Sequence, residues 1–276
     1  MKFGIATFPT HYSIAPTDLA IGLEERSFES IWVAEHSHIP ASRKSPWPGG
    51  AELPKMYYDV MDPFVVLSAA AAVTLHLKLA TGICLVGQRD LFQTAKQIAS
   101  LDQISNGRFL FGIGGGWNAE EMADHGTAFE TRFRLMRERI EAMKLIWSES
   151  EAEYHGKLVD FDPVKTWPKP VQDPHPPIHV GGAFPGAVRR AIRYGDGWMP
   201  IHGRDSIVEQ LPALREMAIE AGRDPAEIEI TIYGCPAKPE LIESYREAGV
   251  HRLVFGLPPE EQGATLSRLD RMRELF

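Results

Sequence analysis

Cysteine and positive charge are both scarce in this sequence. The chain of 276 residues has two cysteines. Cys84 and Cys235 lie in apolar, strand-like runs, where a reduced thiol behaves as a small hydrophobe, so we expect no disulfide and no zinc or iron–sulfur centre. The 29 Lys and Arg are outnumbered by 37 Asp and Glu, which gives a net charge of -8. A nucleic-acid surface needs basic groups to neutralise phosphates, so the expected partner is a small molecule.

Long apolar runs are absent as well. No run approaches the roughly 20 residues that a membrane-spanning helix needs. Met1 leads directly into a strand-like stretch, KFGIATF, instead of a secretory signal. The sequence therefore predicts a cytoplasmic protein that does not bind a membrane. Strict internal repeats are also lacking, which excludes a solenoid.

Short apolar runs alternate with longer segments of helical periodicity. The apolar runs begin at Phe3, Ser30, Leu77, Phe109, Ile178, Gly197, Ile228 and Arg252. Helices are predicted over residues 18–26, 63–73, 91–101, 132–148, 187–193, 207–221, 240–248 and 265–275. Eight strands, each followed by a helix, are typical of a closed (β/α)8 TIM barrel, so we predict one such domain over residues 1–276. A doubly wound open sheet uses similar units but rarely needs eight of them in succession.

Two connections are longer than a barrel requires. Residues 37–61 follow the second strand and include SPWPGGAELPKMYY, and loops of this length are usually lids or binding loops. Within them, Trp47, Tyr57 and Tyr58 are candidates for covering an apolar substrate, or else they pack the loop onto the barrel. Residues 151–177 precede the fifth strand and contain EYHGKLVDF, which predicts a hairpin that turns at 155–157.

Histidine and glycine concentrate at the predicted carboxyl ends of the strands, where a TIM barrel builds its active site. The second strand ends in AEHSHIP, which places Glu35, His36 and His38 at the rim. His36 is a candidate acid or base, because imidazole exchanges protons near neutral pH, and the alternative is a histidine that caps the strand. The fourth and fifth strands end in GIGGGWN and HVGGAFPG. Such glycines serve turns or let backbone N–H groups approach an anion or a flat ring, and the helix after Pro185 adds a positive dipole that suits phosphate.

Four blocks of sequence carry a family resemblance. They are AEHSHIP, LATGICL, QTAKQIASLDQISNGRFLFGIGGGWNAEE and PIHVGGAFPGAVRRAIRYGDGWMP. Through them the chain resembles, over nearly its whole length, the bacterial luciferase-like monooxygenase superfamily of flavin- and F420-dependent enzymes, and in particular its F420-dependent oxidoreductase branch. The resemblance implies a (β/α)8 barrel with an isoalloxazine-like ring over the strand ends. It also implies a homodimer, for which helix 63–73 is a plausible contact.

The resemblance further implies a set of site residues. His36 falls on the family's ring-proximal histidine, and Gly82–Ile83 on a non-proline cis peptide behind the ring. The residues that the resemblance assigns to the cofactor are Gly82, Ile83, Gly114, Gly115, Gly116, Trp117, Asn118, Gly181, Gly182 and Ala183.

The second strand also bears on which cofactor is used. Many FMN-dependent relatives carry two adjacent histidines there, whereas Ser37 follows His36 in this chain, which favours F420 and leaves FMN as the alternative. A deazaflavin transfers hydride without readily activating oxygen, whereas FMN would allow monooxygenation. The predicted function is hydride transfer between F420 and a small, partly apolar organic substrate beneath residues 37–61, with His36 exchanging a proton.

Two other classes fit the sequence less well. His36 and His38 form an H-x-H pair, and His179 and His202 lie on later strands, which loosely resembles a metal-dependent hydrolase. That class needs an Asp on the eighth strand, and the eighth run here, RLVFGLP, has no carboxylate, so we expect no metal. A barrel that binds a cofactor without turnover is the third possibility, because a fold does not prove chemistry.

Overall fold

Eight parallel strands close into a barrel in a computed structural model that describes residues 1–50, 52–203 and 206–276. The strands are β1 (Lys2–Thr7), β2 (Ser30–Val33), β3 (Lys78–Thr81), β4 (Phe109–Ile113), β5 (Ala152–His155), β6 (Asp160–Val164), β7 (Ile178–Gly181), β8 (Gly197–Met199), β9 (Glu229–Cys235) and β10 (Arg252–Leu257). Around the barrel the order is β1, β2, β3, β4, β7, β8, β9, β10 and back to β1. The predicted (β/α)8 TIM barrel is confirmed.

The helices surround this barrel. They are α1 (Pro16–Glu25), α2 (Met56–Asp59), α3 (Pro63–Val73), α4 (Leu91–Ile104), α5 (Ala119–Asp124), α6 (Arg132–Ser148), α7 (Gly186–Tyr194), α8 (Ile207–Glu220), α9 (Pro239–Glu247) and α10 (Gln262–Arg273). All eight predicted helices are present, and α2 and α5 are additional. In the described part of the chain, no helix is long and apolar enough to cross a membrane.

The second insertion forms the predicted hairpin, with a turn that differs slightly from the prediction. Strands β5 and β6 are antiparallel, and His155 still pairs with Asp160. Gly156 N then donates to the carbonyl of Val159 at 2.8 Å. The turn therefore covers residues 156–159 instead of 155–157, because the ladder extends one pair further than the sequence pattern indicated.

The apolar core has two parts. A large cluster packs the strands against the helices. A smaller one fills the barrel interior around Trp32, Leu110 and Met199, and Ile83 and Tyr233 pack against it from the carboxyl ends of the strands. This inner cluster makes the barrel a solid support for whatever lies on its rim.

Both cysteines are buried and free, as predicted. Cys235 ends β9. Cys84 lies outside β3, because Gly82 and Ile83 leave the strand ladder, and it forms one isolated bridge with Ile113.

Charged groups close the amino end of the barrel. The Arg252 side chain is fully buried and donates to Glu29 Oε2 at 2.8 Å, Glu229 Oε2 at 3.1 Å and Thr231 Oγ1 at 3.0 Å. His179 lies beside this cluster, with Nε2 3.4 Å from Glu229 Oε2. The amino end therefore stabilises the barrel, and the opposite end is available for chemistry.

Candidate active site

Four neighbouring strands bring the predicted site residues to one rim. His36 follows β2, Gly82–Ile83 follows β3, residues 114–118 follow β4, and residues 181–183 begin at the last residue of β7. These strands are adjacent in the barrel order, and all are parallel. The segments therefore lie side by side at the carboxyl end.

Ile83 forms an apolar floor in the middle of this rim. The Gly82–Ile83 peptide is cis, as the resemblance implied, and Tyr233 Oη donates to the carbonyl of Gly82 at 2.7 Å. A Cβ atom on Gly114 would lie 1.9 Å from Ile83 Cδ1, and one on Gly181 would lie 3.3 Å from Ile83 Cγ2. Side chains at these positions would occupy the space that Ile83 uses, so the glycines leave a partly exposed apolar surface suited to one face of a planar ring.

The stretch after β7 combines backbone exposure with a helix terminus. Gly182 has φ +126°, which side chains rarely adopt, and no atom lies closer than 3.4 Å to an ideal Cβ there. Ala183 is exposed, and α7 begins shortly afterwards. The positive end of the α7 dipole therefore lies beside this stretch and suits an anion.

The glycines after β4 also serve close packing. Ideal Cβ atoms on Gly115 and Gly116 would lie 2.6 Å from Phe133 Cε1 and 2.8 Å from Met122 Cε. The Asn118 side chain is buried and accepts from Glu121 N at 3.2 Å, which caps α5. The alternative that the sequence left open, turn and packing chemistry, therefore accounts for part of this segment.

A buried carboxylate orients His36. The Nδ1 atom of His36 lies 2.8 Å from Oε2 of Glu121, whose side chain is fully buried. Ser37 N donates to the second oxygen of this carboxylate, Oε1, at 3.2 Å. Because Nδ1 faces the Glu121 carboxylate, Nε2 is the ring nitrogen left available for proton exchange. The rings of Tyr57 and Trp117 lie 5.4 and 5.8 Å from the His36 ring, centroid to centroid.

Glu121 was not predicted as a site residue from the sequence. Asn118 followed three residues later by Glu121 has the spacing of a capping box, which could have predicted the start of α5. The carboxylate turns towards His36 instead of capping the helix, and only the folded chain shows this.

The 37–61 segment is attached to the barrel through Glu120. The Glu120 carboxylate accepts from Ser42 Oγ at 2.9 Å, Lys44 N at 2.7 Å and Ser45 N at 2.9 Å, and it also accepts from Ser45 Oγ. These hydrogen bonds, with that from the Ser45 side chain the largest contributor, lower the pKa of Glu120 to about 2. Of the two consecutive glutamates in α5, Glu120 therefore holds the segment and Glu121 holds His36.

Both ends of the 37–61 segment are held by Arg89. Its guanidinium pairs with Glu35, just before the segment, and with Asp62 at 2.6 Å, just after it. Glu35 also accepts from Leu85 N at 2.6 Å. Glu35, predicted at the rim, is thus buried there as an anchor.

The predicted substrate residues lie in two places. A cavity of about 540 Å³ runs along the segment, lined by Arg43, Lys44, Ser45, Pro46, Trp47, Gly50, Glu52, Leu53 and Tyr58. Tyr57 turns the other way and packs on Phe8 at 4.6 Å and on His36. The Trp47 ring lies 5.6 Å from the Tyr57 ring and connects the two places. The cavity has cations as well as the apolar groups that were expected.

The remaining histidines engage separate partners. His38 Nε2 lies 2.9 Å from Asp124 Oδ2, His202 Nδ1 lies 2.9 Å from Tyr245 Oη, and His179 is at the amino end of the barrel. Within the described ranges, no three His, Cys, Asp or Glu side chains are grouped so that they could hold a metal ion.

Comparison with known proteins gives extensive matches. The sequence profile of luciferase-like monooxygenases matches residues 1–272. An uncharacterised protein of Mycobacterium tuberculosis is 36% identical over 276 residues, covering 99% of this chain and 97% of that protein. The F420-dependent glucose-6-phosphate dehydrogenase of Kineococcus radiotolerans is 30% identical over 223 residues, 78% of this chain and 61% of that enzyme. The FMNH2-dependent dimethylsulfone monooxygenase of Pseudomonas putida is 33% identical over 159 residues, 56% and 43% of the two chains.

A solved structure supports the fold. An F420-dependent secondary alcohol dehydrogenase, in complex with an F420-acetone adduct, superposes with a TM-score of 0.77 over 100% of this chain and 98% of that chain. The sequence identity is 20%, so this likeness concerns the barrel and not the reaction.

Proposed function

The chain belongs to the luciferase-like monooxygenase family, and we propose that it is an F420-dependent oxidoreductase that transfers hydride between the deazaflavin and a small, partly apolar organic substrate. Members of the family are oxidoreductases and monooxygenases, so the protein is an enzyme of that kind. The observation that carries the proposal is the convergence of His36, the Ile83 floor and the exposed backbone after β7 at one end of the barrel.

The rim suits a planar ring that ends in an anion. Ile83 offers an apolar face to the ring, and the backbone near Gly182 with the start of α7 offers a positive end to a phosphate. The cofactor residues of the proposal are Gly82, Ile83, Gly114, Gly115, Gly116, Trp117, Asn118, Gly181, Gly182 and Ala183. Hydride exchange is the chemistry that a deazaflavin supplies when bound.

The protein's own groups orient the reactants and handle the proton. His36 holds or accepts a proton at Nε2, because Glu121 occupies Nδ1. The rings of Tyr57 and Trp117 lie beside the imidazole and limit its rotation. Trp47 and Tyr58 line the cavity along the 37–61 segment, and in this proposal they contact the apolar part of the substrate.

The choice of F420 over FMN rests on Ser37, which follows His36 where many FMN-dependent relatives have a second histidine. The Kineococcus enzyme, which matches 78% of the chain, is named as F420-dependent. FMN is the second candidate, since the Pseudomonas enzyme is named for FMNH2.

We also propose a homodimer through α3, whose outer face exposes Val65 and Val73.

Titration of the apoprotein with F420 and with FMN tests the cofactor. We expect F420 to bind at least about tenfold more tightly, a difference of about 1.4 kcal/mol. A preference for FMN would replace F420 with FMN in the proposal.

Replacement of His36 tests the mechanism. His36→Ala should slow turnover by about 100-fold or more, the usual contribution of a positioned acid or base, while the F420 dissociation constant stays the same. Turnover is measured with active members of a panel of small alcohols, aldehydes and ketones. An unchanged rate would remove His36 from the mechanism.

A further inference from the structure

Two cations line the cavity along residues 37–61, which we refer to as the segment cavity. They are Arg43 and Lys44, and among the described lining residues Glu52 is the one carboxylate. Within the part of the chain that the structure describes, no ion pair joins Arg43 or Lys44 to an acidic side chain. The lining is therefore positive on balance, although the net charge of the whole protein is -8.

The Arg43 guanidinium lacks a hydrogen-bond partner in its own plane. The side chain is half-buried, and its Nη1 atom is buried without a hydrogen-bond partner among the described residues. The guanidinium carbon lies 5.9 Å from the centre of the Trp117 ring. Such a contact engages the face of the guanidinium and leaves its in-plane N–H groups to be satisfied. Because buried polar groups are nearly always hydrogen-bonded, the Nη1 atom indicates an acceptor on a bound molecule.

The backbone holds Arg43 in an uncommon conformation. Its φ is +48°, in the left-handed region that residues with side chains seldom adopt. Arg43 N donates to the carbonyl of Pro40 at 3.2 Å. On the other side, Lys44 N and Ser45 N donate to the Glu120 carboxylate at 2.7 and 2.9 Å. These contacts on both sides fix a conformation of the kind that is concentrated at binding sites.

Aromatic rings connect the segment cavity to His36. The Trp117 ring contacts the Arg43 guanidinium, and its centre lies 5.8 Å from the centre of the His36 ring. Trp47 lines the cavity and lies 5.6 Å from Tyr57, which lies 5.4 Å from His36. The guanidinium and the imidazole are therefore close enough for one small organic molecule to reach both.

We infer that the substrate carries a carboxylate, which Arg43 binds in the segment cavity while the reacting carbon lies beside His36. The inference rests on the proposed function, because it names the substrate class of that same site. A planar guanidinium binds a carboxylate through two parallel hydrogen bonds, and Lys44 adds a second, exposed positive charge. Arg43 is thus a specificity-determining residue that does not contact the reacting atoms.

Binding of matched acids and amides tests the inference on the protein without its cofactor. Calorimetric titration compares phenylacetate with phenylacetamide, and octanoate with octanamide. The two members of a pair have nearly the same shape, and only the acid is charged. In each pair the acid should bind about tenfold more tightly, as expected for hydrogen bonds between charged groups. In Arg43→Gln this preference should fall to about twofold or less. Arg43→Lys keeps the charge without the planar fork and should retain an intermediate preference.

Steady-state kinetics of the F420-loaded enzyme supply a second readout. Arg43→Gln should raise the KM of carboxylate-bearing substrates about tenfold and leave kcat unchanged, because the lost interaction is made equally in the ground state and the transition state. The KM of neutral substrates should not change. An equal rise in KM for acids and neutral compounds would mean that Arg43 only supports the shape of the cavity, and would overturn the inference.

A matched control removes the same charge elsewhere. Arg271→Gln alters the last turn of α10 and should keep the tenfold preference for the acids. Equal affinity of the unmodified protein for acid and amide in both pairs overturns the inference and leaves F420 chemistry in place. A preference that survives Arg43→Gln, or that is lost in the control, overturns it too. Failure of F420 to bind would instead overturn the proposed hydride transfer and leave the carboxylate site standing, because the titrations need no cofactor.

Discussion

At the level of single residues, His36 owes its orientation to Glu121. The carboxylate is fully buried, and its position at the start of α5 is set by the Asn118 cap. A fixed acceptor on one imidazole nitrogen selects the tautomer and the ring orientation and leaves the other nitrogen for the reaction. Glu121 is therefore a positioning residue whose effect should be seen in turnover.

Glu121→Gln should lower kcat by about 10- to 100-fold, because the amide keeps the shape but loses the charge-assisted hydrogen bond. The F420 dissociation constant should not change. Nitrogen NMR of the His36 ring should show altered tautomer populations, which a purely structural role for Glu121 would not produce. Glu130→Gln, on the exposed surface nearby, is the control and should leave kcat and the spectrum unchanged.

The sequence allowed prediction of His36 and the Gly82–Ile83 cis peptide through family resemblance. It did not reveal the His36–Glu121 contact, because 85 residues separate the two. From the sequence, Tyr57 and Tyr58 were also equivalent candidates for covering a substrate. Packing against Phe8 decides which of them faces His36, and no local pattern encodes that choice.

At the level of elements, α5 links two parts of the site. It has only six residues, and its consecutive Glu120 and Glu121 point in different directions. Glu120 holds the 37–61 segment, and Glu121 holds His36. A displacement of this helix would therefore move the cavity-lining residues of the segment and His36 together.

Glu120→Ala should separate these two functions. The loss of several hydrogen bonds to a charged acceptor should loosen the 37–61 segment, raise the substrate KM by about tenfold and accelerate proteolysis within it. The affinity for F420 should stay the same. Because the pKa of Glu120 is lowered to about 2, the carboxylate stays charged at neutral and mildly acidic pH, and the rise in KM should be the same throughout that range. An unchanged KM, or a similar change in Glu130→Ala, would contradict the assignment.

Helix α3 was predicted to the residue, and two short helices were not predicted at all. Asp62 accepts from Phe64 N at 2.9 Å and from Val65 N at 3.1 Å, and Pro63 occupies the first turn, so local chemistry fixes where α3 begins. The two helices that were not predicted, α2 and α5, have four and six residues. Such short helices show no periodicity and form because tertiary contacts stabilise them.

At the level of the whole molecule, the two barrel ends have opposite roles. The carboxyl end carries glycine, histidine and the 37–61 segment. The amino end is closed by ion pairs around Arg252. The eight predicted strands are neighbours in the barrel in the order in which they occur along the chain. The hairpin β5–β6 does not interrupt that order, because it lies outside the barrel and leaves β4 beside β7. The buried charges were not predicted, since they come together only when the barrel closes.

The amino end should make stability depend on pH. Burial, with a smaller contribution from Arg252, lowers the pKa of His179 to about 4, compared with about 6.5 in an unfolded chain. The unfolded state therefore binds a proton that the folded state does not, and stability should fall as pH drops from about 6.5 to 4, by on the order of 3 kcal/mol. The Arg252 ion pair lowers the pKa of Glu229 to about 2 against the opposing effect of burial, so stability should fall further below about pH 4.5.

Urea unfolding at a series of pH values measures this dependence. His179→Gln should flatten the decline between about pH 6.5 and 4 and leave the decline at lower pH in place. The exposed His155→Gln variant is the control and should retain the slope near pH 5. A slope that is identical in His179→Gln and the unmodified protein would assign the dependence to other groups.

Arg89 binds Glu35 and Asp62 at the two ends of the 37–61 segment. The entry and exit of this segment are therefore held at one point on the barrel. A single guanidinium thus sets both where the chain leaves the rim and where it returns, so the loss of Arg89 would release the two ends at once.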